Sequence, residues 1–324
     1  MVVDWQLVAD IGGTNARFGV IDCATHKLVH TQRFSVAEYA VFTDALEHFL
    51  QALKTSHQLT KLPSAVCLAV AGPVESEVLQ FTNSSWSLRR SDIECFFQGV
   101  PVHIINDFAA VGHGVLALEE RDSHQIGGSC GVQGRPIAVL GPGTGLGVCS
   151  LVAVNGRYEV VVGEGGHADF APVDPQEIAV YEILKARFGR VSSERLLSGA
   201  GLLHIYRALA QLANKPVLHE QPEQVHKAAA HGVETLAVNS MQMFCRVLGS
   251  FAGNLTLTLG ALGGVYIAGG IAPQLISFLE SSEFRYRFES KGRFRSYLTD
   301  VPVRVVTRAD LGLHGAAQFL ANES

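Results

Sequence analysis

In residues 6–21 the chain reads QLVADIGGTNARFGVI, two strand-like runs joined by a turn of glycines and a threonine. Residues 137–154 read IAVLGPGTGLGVCSLVAV and repeat the order of strand, glycine-threonine turn and strand. Self-similarity of this kind predicts a duplicated structural unit. Further apolar runs alternate with stretches of helical spacing, which indicates an α/β architecture. The sequence therefore predicts two α/β units that are built alike.

Hydrophobic patterning predicts most of the regular elements. The predicted strands are Gln6–Ala9, Phe18–Ile21, Ala65–Val70, Val102–Ile105, Ile137–Leu140, Val148–Val154, Val265–Ala268 and Val303–Val306. The predicted helices are residues 37–54, 178–188 and 233–259. Residues 247–279 carry no charge, which is long enough for a transmembrane helix. Because glycines and Pro273 interrupt this run, we expect a buried helix, a glycine turn and a strand, and no membrane span.

Composition narrows the class of protein. At 324 residues the chain exceeds the usual size of one core, and 48% hydrophobic with 17% charged residues is a globular profile. A formal net charge of -5 disfavours nucleic acid as a partner, because phosphate neutralisation dominates that affinity. The six cysteines lie far apart without a CxxC pair, and the first residues lack the pattern of a secretory signal. We expect a cytoplasmic enzyme with reduced cysteines.

The two glycine-threonine turns are candidate phosphate-binding loops. Glycine lets backbone N–H groups approach phosphate oxygens, because no Cβ blocks them. Each turn taken singly is equally well explained as an ordinary hairpin. Asp10 at the head of the first turn, and the presence of two copies, favour phosphate binding with a nucleotide between the copies. The chain has neither a P-loop nor a dinucleotide fingerprint opening a helix.

Asn106 and Asp107 end an apolar strand and precede a helix-compatible run. In open α/β sheets the carboxyl ends of strands carry the side chains that handle ligands. Asn and Asp are also preferred helix N-caps, and taken alone the pair fits a cap better. One residue of the pair could cap the helix while the other does chemistry.

A third group of polar residues is typical of hydroxyl recognition. Glu164 and His167 are set among glycines, and Glu194 lies in the stretch 191–199. Carboxylate and imidazole groups can orient sugar hydroxyls, which both donate and accept hydrogen bonds. A capping box or an exposed helix charge would equally explain Glu194. Metal binding by His167 is a weaker alternative, because no second ligand lies at the right spacing.

Taken together, these motifs resemble the bacterial glucokinase family, within the actin, Hsp70 and hexokinase superfamily. Residues 10–17 and 141–147 resemble its two phosphate motifs, and residues 263–271 resemble its adenosine motif. Residues 168–175 contain no cysteine, so the chain resembles the zinc-free branch. The resemblance implies an actin-like ATPase (ribonuclease H-like) fold with a cleft between two α/β domains. We expect residues 1–112 with 308–324 to form the smaller domain and 113–307 the larger.

The resemblance also implies the roles of individual residues. It implies a sugar site of Asn106, Asp107, Glu164, His167 and Glu194, with Asp107 as the general base. It implies that ATP and its phosphates contact Ala9, Asp10, Ile11, Gly12, Gly13, Thr14, Gly143, Thr144, Gly145, Gly269 and Gly270. Asp10 would hold Mg²⁺, mostly through water. The implied activity is transfer of the ATP γ-phosphate to the 6-hydroxyl of glucose, feeding glycolysis, by a homodimer.

Three alternatives stay open on the sequence. A kinase for another hexose, or one using ADP or polyphosphate, would need the same residue types. A non-catalytic sugar sensor would keep the fold but has no need of a base such as Asp107. An actin-like filament protein is disfavoured, because Glu164, His167 and Glu194 would have no task in it.

Overall fold

The computed structural model describes residues 4–56, 59–81 and 86–323, which form two compact units. The first unit comprises the chain up to Leu118 together with the residues from Ala309 onward. The second unit is Glu119–Arg308. The chain thus leaves the first unit, builds the second one completely, and returns to the first with its final helix.

Strands and helices alternate along both units. The strands are β1 (Trp5–Ile11), β2 (Asn15–Asp22), β3 (Lys27–Ser35), β4 (Val66–Val70), β5 (Val78–Gln80), β6 (Ser87–Arg89), β7 (Val102–Asn106), β8 (Ser123–Gln125), β9 (Ile137–Pro142), β10 (Leu146–Val154), β11 (Arg157–Gly163), β12 (Gly264–Ile267) and β13 (Val303–Val306). The helices are α1 (Phe42–Ser56), α2 (Arg90–Phe96), α3 (Asp107–Leu116), α4 (Pro175–Phe188), α5 (Gly199–Leu212), α6 (Pro222–Ala230), α7 (Thr235–Leu259), α8 (Ile276–Ser281), α9 (Phe284–Glu289), α10 (Arg295–Thr299) and α11 (Leu311–Glu323).

The first unit is a five-stranded sheet in the order β3-β2-β1-β4-β7. β1, β2 and β3 form an antiparallel meander, whereas β4 and β7 run parallel to β1. The alternation of side chains along β1 sends Leu7 and Ala9 into one apolar cluster with α1, and Val8 into another with α11. The sheet is therefore covered by helices on both faces.

Helices α3 and α11 pack through glycine. A Cβ on Gly315 would overlap the carbonyl oxygen of Ala110, and one on Gly114 would lie 2.7 Å from the carbonyl oxygen of Leu311. Two helix backbones can approach this closely only where no side chain intervenes. Helix α11 is thereby held against the first unit although it lies about 190 residues further along the chain.

The second unit contains a six-stranded sheet in the order β11-β10-β9-β12-β13-β8. β9, β10 and β11 are antiparallel, while β12 and β13 are parallel to β9. If β1, β2, β3, β4 and β7 are numbered 1 to 5 in the first sheet, and β9 to β13 are numbered 1 to 5 in the second, both sheets have the order 3-2-1-4-5. Strand β8 is an additional strand at one edge of the second sheet. The duplication predicted from the two glycine-threonine turns is confirmed, since each turn joins the strands at positions 1 and 2 of this shared order.

Most predicted elements are present, with one clear error. The helix predicted to begin at Ala37 begins at Phe42, because residues 36–38 form a short 3₁₀ turn and Tyr39 is extended. The Trp86 indole N–H donates 2.9 Å to the Tyr39 carbonyl, which removes this carbonyl from a helical ladder. Helix α7 ends at Gly260 with a φ of 61°, as the predicted glycine turn requires.

The uncharged run of residues 247–279 is divided between α7, β12 and α8. Within the part of the chain that the structure describes, none of the helices combines the length and apolarity needed to cross a bilayer.

Candidate functional site

The first glycine-threonine turn and the Asn106–Asp107 pair lie at the same end of the first unit's sheet, where its parallel strands finish. In the ladders of the parallel strands, Ile11 pairs with Val70, and Val70 pairs with Asn106. The carboxyl ends of β1, β4 and β7 are therefore level with one another. Ligand-handling residues gather at this end in parallel α/β sheets. The structure brings Asp10, the turn 12–14, Asn106 and Asp107 to one end of the first unit.

Asp10 lies beside an arginine and a helix start. Arg17, its cross-strand partner, places Nη1 3.2 Å from Asp10 Oδ2, and Arg17 Nε lies 3.3 Å from Asp310 Oδ1. Loss of hydration raises the pKa of Asp10, and the Arg17 guanidinium opposes that shift. An ideal Cβ on Gly312, in the first turn of α11, would lie 2.9 Å from the Asp10 carboxylate carbon. Gly312 thus allows the carboxylate to lie against the backbone of α11.

The turn that follows Asp10 is closed by its own backbone. Gly12 N–H donates 2.9 Å to the Asn15 carbonyl, and Thr14 accepts from Val36 N–H at 3.0 Å. A Cβ on Gly12 would approach nothing closer than 3.7 Å. The conformation of this turn therefore leaves open space at Gly12, where an anionic group could approach the backbone.

Asn106 is the N-cap of α3. Its Oδ1 accepts from the N–H groups of Phe108 at 2.8 Å and Ala109 at 3.2 Å, and its Nδ2 donates 3.1 Å to the Gly72 carbonyl. The cap interpretation is thus correct for Asn106. One Nδ2 hydrogen is left for a ligand.

Asp107 is the first residue of α3, and its Oδ1 accepts 2.9 Å from Phe108 N–H. A carboxylate in the first turn is favoured in its charged form by the unsatisfied N–H groups and the helix dipole. Asn106 therefore does the capping, and Asp107 lies half-buried at the same end of the sheet.

In the second unit, Glu194 contacts the second glycine-threonine turn. Glu194 Oε2 accepts 2.9 Å from Leu146 N–H, and a Cβ on Gly145 would lie 2.5 Å from the same oxygen. The turn itself is closed by Gly143 N–H donating 2.8 Å to the Gly145 carbonyl. Gly199, which opens α5, donates 2.9 Å to the Gly143 carbonyl. This turn, Glu194 and the start of α5 form one connected structure.

Glu164 precedes and His167 ends a short 3₁₀ turn, Gly165–His167, which follows β11 and packs on the same hairpin. A Cβ on Gly166 would overlap the carbonyl oxygen of Leu146, so glycine is required there. His167 Nε2 lies 3.9 Å from Glu164 Oε2, and both side chains are more than half exposed. Ser193 N–H donates 2.9 Å to the Ala168 carbonyl, which joins this turn to that of Glu194. The structure thus gathers Glu164, His167 and Glu194 around Leu146.

Gly269 also lies against the second hairpin. It has a φ of 89°, and a Cβ there would lie 3.0 Å from the Pro142 carbonyl oxygen. Ala268 N–H donates 2.7 Å to the Leu140 carbonyl, which continues the parallel pairing of β12 with β9. Gly270 has open space around its α-carbon.

Three residues at these sites were missed by the sequence analysis. Arg17 and Asp310 extend the Asp10 cluster, and Asp310 has an unusual φ of 55° for a residue other than glycine. Arg190 donates 2.7 Å to the His167 carbonyl and pairs with Asp169 at 2.7 Å, so it braces the Glu164–His167 turn. Arg17 was visible inside the first motif, whereas no local pattern marks Asp310 or Arg190.

Comparison with known proteins identifies the family. The family model described as Glucokinase matches residues 7–323. A glucokinase of Hahella chejuensis is 41% identical over 319 residues, which covers 98% of each chain. The crystal structure of a glucokinase from an Antarctic psychrotroph matches with a TM-score of 0.84 at 35% identity, covering 98% of this chain and 99% of that one.

A more distant structure shares the fold. It is a ROK family glucokinase from Streptomyces griseus in complex with glucose and AMPPNP, with a TM-score of 0.67 at 20% identity over 99% of this chain and all of that one. The fold of these sugar kinases, and of this chain, is the actin-like ATPase fold. With a family model spanning nearly every residue and relatives at about 40% identity over full length, the chain belongs to the glucokinase family.

Proposed function

We propose that this protein phosphorylates glucose at its 6-hydroxyl with ATP as donor, and that Asp107 is the general base. The observation that carries the proposal is the match to the glucokinase family over residues 7–323. The position of Asp107 supports it, since a carboxylate at the carboxyl ends of the parallel strands β1, β4 and β7 is the type of group that the reaction needs.

In the proposed reaction an Asp107 carboxylate oxygen accepts the proton of the 6-hydroxyl. The sugar oxygen forms a bond to the γ-phosphorus while the bond from this phosphorus to the β,γ-bridging oxygen breaks, and ADP leaves. Asn106 Nδ2, Glu164, His167 and Glu194 orient the other hydroxyls. Phosphoryl transfer depends mostly on positioning and charge stabilisation, so the base should contribute roughly 10²- to 10⁴-fold.

The two glycine-threonine turns are the proposed phosphate ligands. Their role is supported by the space around Gly12, by that around Gly143, and by the approach of Gly269 to the second hairpin. We expect the nucleoside to lie against the glycines of residues 263–271, where the absence of a side chain at Gly270 leaves the backbone accessible.

The residues at the edge of the first sheet fit a magnesium ion held mainly by substrate and water. Asp10 supplies carboxylate oxygens, the donor type that Mg²⁺ prefers, and its side chain is 22% exposed. The described residues contain no cluster of three or more acidic, histidine or cysteine side chains suited to a metal. Asp10 would therefore hold the ion mostly through water, and the ion would neutralise charge on the phosphates.

A coupled assay over a panel of hexoses and donors tests the activity. Glucose with ATP should give the highest kcat/KM, compared with mannose, fructose and N-acylated amino sugars, and with ADP or polyphosphate. Asp107→Asn should lower kcat about 10²- to 10⁴-fold and leave glucose binding, measured by calorimetry, nearly unchanged. Preference for another hexose would overturn the substrate, and near-normal turnover of the variant would overturn the base.

The cellular setting is also a proposal. We expect a cytoplasmic homodimer whose product enters glycolysis, as the resemblance to bacterial glucokinases implies. Light scattering at micromolar concentration measures the oligomeric state directly, and a monomer there would contradict the dimer.

A further inference from the structure

Two arginines and a histidine surround Phe188 at the end of α4 in the second unit. The guanidinium carbons of Arg187 and Arg195 lie 4.9 Å and 4.3 Å from the centre of the Phe188 ring. The ring of His204, on α5, lies 5.0 Å from it between centroids. We call Arg187, Phe188, Arg195 and His204 the Phe188 cluster.

The cluster concentrates positive charge in a chain of net charge -5. In the described ranges, neither Arg187 nor Arg195 has a carboxylate oxygen within 4.0 Å. Stacking on the half-buried Phe188 ring offsets only about 0.5–2 kcal/mol for each cation. An anion bound beside Arg187 would offset part of this positive charge.

A pocket of about 570 Å³ adjoins the cluster, between α4 and α5. The donor-bearing side chains of its wall are Arg187, His204, Arg207 and Gln211, and of the residues that the structure describes Glu182 is the one carboxylate that lines it. Arg207 pairs with Glu220 through Nη2 at 2.6 Å, which leaves its other N–H groups available. Arginine is the side chain that binds phosphate oxygens with two parallel N–H groups, and two arginines line this pocket.

The ring of His204 can supply a further hydrogen-bond donor to an anion in this pocket. Its Nδ1 lies 3.0 Å from the Arg195 carbonyl, so the nitrogen carries the hydrogen and Nε2 can take up a proton. Burial lowers the pKa of His204, and the charges of Arg187, Arg195 and Arg207 lower it further. A bound anion would reverse the effect of these charges and let Nε2 donate.

We propose that this pocket binds a phosphate group, either as inorganic phosphate or as a phosphate monoester, through Arg187, Arg207 and His204. The site is connected to the proposed sugar site by one short turn. Arg195 follows Glu194 in the 3₁₀ turn Ser193–Arg195, and the Arg195 carbonyl accepts the His204 hydrogen bond. Occupancy of the pocket therefore shifts the position of Glu194 and with it the affinity for sugar, a consequence that rests on the proposed function.

Calorimetric titration of the full chain tests the binding. Saturating glucose and AMPPNP should first occupy the proposed active site, and inorganic phosphate or glycerol phosphate is then added. The double variant Arg187→Gln/Arg207→Gln should bind phosphate at least about tenfold more weakly, since charge-assisted contacts are lost. Arg293→Gln is the matched control, because Arg293 also lies over a ring, that of Phe294 at 5.6 Å, and lies outside the set of residues that line the pocket.

Comparison of phosphate binding by the wild type, the control and the double variant distinguishes the possible results. Binding of both probes by the wild type and the control, with loss in the double variant, supports recognition of the phosphate group itself. Binding of inorganic phosphate alone supports a site for the free anion. Equal binding by all three proteins, or none by the wild type, overturns the proposal.

Kinetics test the connection to Glu194. Phosphate should change the glucose KM of the wild type and leave that of the double variant unmoved. An unmoved wild-type KM, with binding intact, would overturn the connection to the sugar. Absence of any kinase activity would instead contradict the proposed function, while the binding result would stand.

Discussion

Glu194 Oε2 accepts a 2.9 Å hydrogen bond from the backbone N–H of Leu146, which fixes the Glu194 carboxylate to the second glycine-threonine hairpin. If Glu194 binds sugar and the hairpin binds phosphate, each position depends on the other. Charge-assisted bonds of this kind are shorter and stronger than neutral ones. In the second unit the proposed sugar-binding residue Glu194 and the proposed phosphate-binding hairpin are thus held in place by the same hydrogen bond.

Gly145→Ala should disturb this hydrogen bond. The new Cβ would lie 2.5 Å from Glu194 Oε2, so the carboxylate has to move and its bond to Leu146 is weakened. We expect the glucose KM to rise about tenfold, equivalent to ~1.4 kcal/mol, in steady-state assays. Gly163→Ala is the control, because a Cβ there meets nothing within 4 Å. Equal glucose KM values for both variants would contradict the coupling.

Asn106 should affect stability and sugar binding separately. Asn106→Ala removes the cap of α3 and should destabilise the first unit by about 1 kcal/mol, whereas Asn106→Ser keeps a capping oxygen and should lose less. Both variants remove the Nδ2 donor, so both should weaken glucose binding. The two tryptophans of the chain, Trp5 and Trp86, are buried in the first unit, so fluorescence during urea unfolding measures this unit. Full stability of the alanine variant would be inconsistent with the cap.

Gly315→Ala should separate α3 from α11. The added methyl group would overlap the Ala110 carbonyl oxygen, and overpacking of this kind costs roughly 1–3 kcal/mol despite alanine's higher helix propensity. Tryptophan fluorescence in urea again measures the loss. Asn322→Ala, at the exposed end of the same helix, should change the midpoint little. A gain in stability for Gly315→Ala would show that the helices can repack.

Lys291 should make the stability of the second unit depend on alkaline pH. Burial and the nearby Arg287 lower its pKa to about 8 from 10.5, while its ammonium donates 3.1 Å to the Ser250 carbonyl. Between pH 8 and 10.5 the Lys291 side chain is protonated in the unfolded chain and mostly neutral in the folded one. Raising the pH through this range therefore increases the free energy of unfolding. Below pH 8 the side chain is charged in both states, and the cost of burying the ammonium has its full value.

Comparison with Lys291→Met isolates that contribution. The difference in free energy of unfolding between variant and wild type, followed by far-UV circular dichroism, should change steadily from pH 8 to 10. The direction should favour the wild type as pH rises. A constant difference across this range would mean that the lysine is hydrated like a surface residue.

The sequence predicted the two repeated hairpins and the alternation of strands with helices. Both glycine-threonine hairpins and the strand ending at Asn106 were readable because apolar runs and glycines mark them locally. Strands β3 and β11 were missed, since each lies at a sheet edge and is largely exposed, so its apolar pattern is weak. The site residues within each unit were proposed from motifs, whereas Arg190 reaches the His167 turn from outside any motif.

The ambiguity at Asn106 and Asp107 needed coordinates for a physical reason. Neighbouring Asn and Asp have nearly equal preference for an N-cap, and only the backbone decides which carbonyl or carboxylate oxygen faces the free N–H groups. Asn106 Oδ1 receives two of them, and Asp107 takes the next position. The local sequence thus predicted that one residue caps the helix and the other is available for chemistry, but it did not decide which residue does which.

The return of the chain to its first unit sets an order of events on the ribosome. Leu313, Ala316 and Leu320 of α11 cover Val8 and Cys67, strand residues made near the beginning of synthesis. At 5–20 residues per second, the intervening 190 residues take roughly 10–40 s to translate. The unit encoded first is consequently the last to be completed, and a stop codon within the final fifteen positions would damage the unit that begins at the amino terminus.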